Sequence, residues 1–104
     1  MTIQFNTDKT IEGSERHQNY FTPIIQEGLK RYDSQITRVE VHISDENGKK
    51  DGFNDMLCTL EVRLEGQKPT AVKSQANTVE KAVSGAIDKM KASLDTILGK
   101  LQNH

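Results

Sequence analysis

In the stretch Ile36–Ser44, ITRVEVHIS, apolar Val39, Val41 and Ile43 alternate with Arg38, Glu40 and His42. Successive side chains of a strand point to opposite faces, so a period of two predicts a half-buried strand. Downstream, MLCTLEVRLE (56–65) repeats the pattern: Met56, Cys58, Leu60, Val62 and Leu64 form the inward set, and Thr59, Glu61, Arg63 and Glu65 the outward set. Between them lies DENGKKDGFND (45–55), whose Asn47-Gly48 marks a hairpin connection. After GQKP, the stretch TAVKSQA (70–76) predicts a third, weaker strand with Val72, Ser74 and Ala76 inward.

Upstream, Tyr20, Phe21, Ile24, Ile25, Leu29 and Tyr32 recur at helical spacing between His17 and Tyr32, and DSQ (33–35) ends the run. Pro23 interrupts it, at a cost of roughly 3 kcal/mol in a helix interior. The reading is one helix kinked at Pro23, with Ser14 as N-cap. The first residues, TIQFN (2–6), place Ile3 and Phe5 on one side of a short strand. The chain ends in AIDKMKASLDTILGKL (86–101), with Ile87, Met90, Leu94, Ile97, Leu98 and Leu101 on one stripe of a last helix. Asn77 or Thr78 is its cap.

The predicted fold is thus α+β, in the order β-α-β-β-β-α. It has a four-stranded mixed sheet with two helices packed on one face, and a single domain spanning residues 1–104. The three later strands form an antiparallel meander, and the first joins in parallel through its helix.

Composition narrows the function. Hydrophobic residues are 34% and charged residues 28%, which suits a solvated domain with one modest core. No apolar run reaches the ~20 residues of a membrane span, no secretory leader is visible, and one cysteine cannot form an internal disulfide. These features predict a cytoplasmic protein without a membrane partner. The net charge of −1 argues against indiscriminate DNA or RNA coating. Polyanion binding would need local segregation of charge.

Nothing predicts an enzyme or a cofactor. No GxSxG, Walker loop, HExxH or CxxC is present, and His17, His42 and His104 are too dispersed to suggest a metal site. The loop 45–55 resembles a calcium loop only superficially: Lys49 stands where an oxygen ligand belongs, Gly48 comes too early, and the flanks are strands. Cys58 alternates with Met56 and Leu60, as a small buried residue does.

The order of elements, together with LKRYDSQITRVEVHI (29–43) and AVSGAIDKMKASL (82–94), resembles the short ribosome hibernation promoting factors and the ribosome-associated inhibitor. This family was once called sigma-54 modulation proteins. The last-helix signature here reads Gly85, Ile87, Asp88, Lys89 and Met90. The resemblance implies a fold like a double-stranded-RNA-binding domain. It also implies a stress-response protein that inhibits translation by binding 16S rRNA of the 30S subunit, where messenger and transfer RNA would sit. This chain departs from the family chiefly in that the dense basic run that closes the family's last helix is replaced by Ala92–Gly99, leaving only Lys91 and Lys100, and also in the acidic SDENG (44–48) that follows the second strand.

Under that resemblance the phosphate-contact residues are Lys81, Lys89, Lys91 and Lys100 of the last helix, with Lys30 and Arg31 ending the first. Arg38, Arg63 and Lys73 of the open sheet face are lesser candidates. Each has a plainer reading. The helix lysines keep a surface soluble, Lys30 and Arg31 complement a helix dipole, and the sheet residues pair with Glu40 and Glu61 across strands. Lys49 and Lys50 are solvated loop charges. The alternative function is a diverged protein-interaction or dimerisation module of the same fold without ribosome binding.

Overall fold

The structure is a computed structural model describing residues 1–8, 11–46 and 55–102, with Gln102 described in its backbone only. The elements are β1 (Thr2–Thr7), α1 (Ser14–Gly28), a 3-10 turn (Lys30–Tyr32), β2 (Ile36–Asp45), β3 (Met56–Leu64), β4 (Thr70–Ala76) and α2 (Val79–Gln102). The loop carrying Asn47, Gly48, Lys49 and Lys50 lies outside the described residues, as does His104.

The sheet order is β1-β2-β3-β4. β1 lies parallel to β2, and the two later pairings are antiparallel. β4 therefore runs the same way as β1. Each helix follows one of these two strands and returns across the same sheet face, so α1 and α2 run parallel, with both N-termini at one end. Ile25 and Leu29 of α1, Val83, Ala86, Met90 and Leu94 of α2, and Val39, Val41, Ile43, Cys58, Leu60 and Val62 of the sheet form one buried cluster. Each large member contributes roughly 1.5–3 kcal/mol by leaving water.

Two local features differ from the sequence reading. Ser14 is the first helical residue rather than the cap. The cap is Gly13, at φ 71°, where glycine carries no Cβ penalty, and no side chain caps the helix. At the other end α1 stops at Gly28, and Lys30–Tyr32 form a separate tighter turn that keeps Tyr32 buried. Pro23 sits inside α1 as expected. Its missing N–H leaves the Asn19 carbonyl without the usual partner four residues on.

β2 carries a bulge. Ile36 pairs with Leu64 and Arg38 with Arg63, so Thr37 is one residue extra. The Thr37 hydroxyl donates to the Arg63 carbonyl at 3.1 Å. The extra residue keeps Ile36 inward although it is three positions from Val39.

Thr78 caps α2, accepting the Lys81 N–H at 3.1 Å through its hydroxyl. Gly85 of α2 lies over Ser74 of β4, and a Cβ at Gly85 would overlap the serine hydroxyl. Ile97 and Leu98 are half-buried and Leu101 is exposed, so the apolar stripe of α2 outruns the sheet.

Candidate nucleic-acid interface

The two flanks of α2 have opposite character. One flank faces the edge strand β4. Gly85 and Lys89 lie there, and the Lys89 ammonium donates to the Lys73 carbonyl at 2.7 Å, while Lys81, four residues before Gly85, stands on the outer crest of the helix between the two flanks. Lys100 is eleven residues beyond Lys89, three helical turns and roughly 16 Å along the same side. Lys73 adds a cation from β4. Lys73, Lys81, Lys89 and Lys100 are exposed and in no ion pair among the described residues.

The other flank faces α1 and is acidic. Glu80, Ser84 and Asp88 share a groove with Glu27 of α1. Further along, Asp95 accepts a hydrogen bond from the Tyr32 hydroxyl at 2.6 Å and pairs with Arg31. Arg31 also lies over the Tyr32 ring, 4.7 Å from its centroid, and the Tyr32 hydroxyl also lies 3.2 Å from the Lys91 carbonyl oxygen. The hydrogen bonds from Tyr32 and then Arg31 hold the Asp95 carboxyl below its usual value, with the nearby Lys91 charge helping. Burial of the Tyr32 ring pushes its phenol up, and the Asp95 hydrogen bond adds to this. The hydrogen bond that Arg31 itself donates to Asp95 raises its guanidinium. Arg31 and Lys91 therefore stand beside a carboxylate, on the far flank from Lys89 and Lys100. Lys30 is exposed at the end of α1, near the amino-terminus and Asp33.

The open sheet face corrects the expectation of opposite charges paired across strands. The register sets Arg38 directly opposite Arg63 and Glu40 directly opposite Glu61. Like charges in facing positions repel. Relief comes along β2, where Arg38 pairs with Glu40 at 2.7 Å and also donates to Gln4. The face is thus banded: a row with Arg38 and Arg63, a row with Glu40 and Glu61, then His42, Thr59 and Lys73. Arg38, Arg63 and Lys73 do not adjoin as one basic patch.

The sequence reading placed the lysines outward but did not bring Glu27 to Glu80 and Asp88. The i, i+4, i+8 spacing of Glu80, Ser84 and Asp88 is a signal for one half of that groove. The other half comes from a different helix. Among the described residues no group of three or more His, Cys, Asp or Glu side chains could hold a metal. No helix there is long and apolar enough to cross a membrane.

A mixed sheet with two parallel helices on one face defines a fold of the double-stranded-RNA-binding-domain-like class. The chain belongs to the sigma 54 modulation protein / S30EA ribosomal protein family, whose model matches residues 4–102. Its fold is similar to that of a ribosomal subunit interface protein from Coxiella burnetii, with a TM-score of 0.69 and 12% identity over 95% of this chain and 99% of that one. It is also similar to the N-terminal domain of Protein Y from Thermus thermophilus, with a TM-score of 0.66 and 16% identity over 93% of this chain and 99% of that one. No curated protein matches the sequence.

Proposed function

We propose that this protein binds 16S rRNA in the decoding region of the 30S subunit and inhibits translation by occupying the site of messenger and transfer RNA. The observation that carries the reading is the set Lys81, Lys89 and Lys100 on the exposed side of α2, with Lys73 of β4 beside Lys89 and no acid paired to any of the four among the described residues. Family membership across residues 4–102 supports it. So does the fold likeness to a ribosomal subunit interface protein. The action is occupancy in the cytoplasm: no bond is made or broken, and no cofactor takes part.

The physics is local. A chain of net charge −1 gains nothing from its total charge, so these lysines themselves must meet the phosphates. Each phosphate neutralised contributes about 0.9 or less to the slope of log affinity against log salt. Three or four contacts give weak binding to arbitrary RNA, so affinity depends on the shaped ribosomal site. Lys30, Arg31, Lys91, Arg38 and Arg63 contribute less. Arg31 and Arg38 are already paired with Asp95 and Glu40, and Lys91 stands near Asp95.

Co-sedimentation with purified 30S subunits at low and moderate salt tests the reading. The protein is expected to pellet at low salt, to pellet less as salt rises, and to lose pelleting when Lys81, Lys89 and Lys100 are all changed to Glu. Absence of pelleting at low salt, or indifference to the triple reversal, overturns it.

A further inference from the structure

The groove between the helices is lined by Phe21, Pro23, Ile24 and Ile87, with Glu27, Glu80 and Asp88 among them. It encloses about 520 Å³, inside the range of small ligand sites. No lysine or arginine lines it. The helices pack closely at its end, where a Cβ on Gly28 would stand 2.9 Å from Ile87 Cγ2. From there the trough runs toward the N-terminal halves of both helices. Ile24 is 39% exposed, and Tyr20, which packs edge-on against Phe21 at 4.9 Å, is 53% exposed. Ile24, one of the three large exposed hydrophobics among the described residues, therefore lines this groove, while Tyr20 lines a neighbouring hollow with Arg16 and His17 on the other side of Phe21.

The acids have no sufficient role in the fold. Glu80 in the first turn of α2 suits the helix dipole. Glu27 stands in the last turn of α1, where the dipole disfavours an anion, and the cation nearest in sequence, Lys30, shares a separate hollow with it and forms no ion pair among the described residues. Asp88 is mid-helix, where aspartate is a poor helix former. None of the three has an ion pair among the described residues. An apolar trough with three unpaired carboxylates repels RNA and suits a ligand that is both apolar and cationic.

We propose that this groove binds a cationic amphipathic peptide segment of a partner protein, with bulky apolar side chains between α1 and α2 and Lys or Arg against Glu27, Glu80 and Asp88. The recognition is helix-in-groove, with the apolar anchors giving affinity and the acids orientation. Lys89 and Lys100 lie on the other flank of α2 from this surface, so contact with RNA there and with a peptide here can occur at once.

The test is a heteronuclear NMR titration of the full-length protein with a 14-residue amphipathic helix of leucine and lysine. Shift changes are expected to centre on Phe21, Ile24, Ser84 and Ile87. Changing Glu27, Glu80 and Asp88 together to Lys is expected to weaken binding by roughly tenfold or more. A leucine-free lysine peptide should bind at least roughly tenfold more weakly than the amphipathic one. Equal binding of the two peptides, indifference to the triple change, or shifts centred elsewhere would overturn the proposal. So would an RNA oligonucleotide that moves the same groove resonances. The triple change leaves Lys81, Lys89 and Lys100 in place, so 30S pelleting reports separately on the ribosomal reading.

Discussion

The Tyr32 hydroxyl donates to the Asp95 carboxylate at 2.6 Å across 63 positions of sequence. It ties the turn after α1 to the part of α2 that follows Leu94, the last fully buried residue of that helix. This contact, with Arg31 on the same carboxylate, joins that part of α2 to the turn after α1, in addition to Ile97 and Leu98, which pack half-buried against the core. Its pH dependence has a definite sign. Asp95 is depressed below its ordinary value of 3.8 by the Tyr32 and Arg31 hydrogen bonds. Its stabilisation is therefore complete above that value and is lost as pH falls through the lower folded-state value. A carboxyl titration followed by NMR should find Asp95 below 3.8, and Tyr32→Phe should move it upward. An Asp95 midpoint at or above 3.8 in the parent protein contradicts the arrangement.

Glu40 facing Glu61 makes the open sheet face sensitive to salt. Replacing Glu61 by Gln removes one half of a facing like-charge pair without breaking an ion pair, since the carboxylate held by Arg38 is Glu40. The substitution should stabilise the protein by about 0.2–1 kcal/mol in urea unfolding at low ionic strength. The gain should shrink as salt rises, because screening weakens the repulsion in the parent. A destabilised Glu61→Gln protein would show that Glu61 supports Arg63 more than it opposes Glu40.

Cys58 is 1% exposed, and burial pushes its thiol up to about 12. At pH 8 the thiolate is then a very small fraction, and reagent cannot reach the sulfur without unfolding. The native protein should not react with an aromatic disulfide reagent over minutes at pH 8, while the urea-unfolded chain should react at once. Rapid reaction of the native state would mean that β3 is not a sealed interior strand of the sheet.

Most of the architecture was legible because it depends on period. Val39, Val41 and Ile43, and Cys58, Leu60 and Val62, point inward as their alternation requires. What stayed hidden depends on pairing. Thr37 looks like one more strand residue, and only the partner strand reveals that it is the extra residue of a bulge. Alternation places Glu40 and Glu61 on the same face, but which residues stand opposite depends on the register, and the sequence between β2 and β3 does not specify it. The helix lysines show the same limit. Spacing says that Lys89 and Lys91 leave the core, while only the packing of α2 between β4 and α1 sends one to a basic flank and the other beside Asp95. Gly13 takes the cap position because a left-handed backbone there excludes a side chain, a constraint that the preference for serine at caps does not register.

Lys89 and Lys100 carry separable roles. The Lys89 ammonium donates to the Lys73 carbonyl on the free edge of β4, so it blunts an unpaired strand edge. Lys100 has no partner among the described residues, six positions past the last fully buried residue of α2. Lys89→Ala should therefore cost stability, about 0.5–1.5 kcal/mol by loss of one hydrogen bond. Lys100→Ala should cost no more than about 0.3 kcal/mol, through loss of the cation in the last turn of α2. If the ribosomal reading holds, both should weaken 30S association, each lowering the salt slope by up to about 0.9. Lys100→Ala then reports phosphate contact free of any change in the fold, which Lys89→Ala cannot do alone. A Lys100→Ala protein that binds 30S like its parent, with the same salt slope, would remove the far end of α2 from the interface. An unaltered urea midpoint in Lys89→Ala would show that the bond to Lys73 adds nothing to the sheet and leave phosphate contact as that lysine's function.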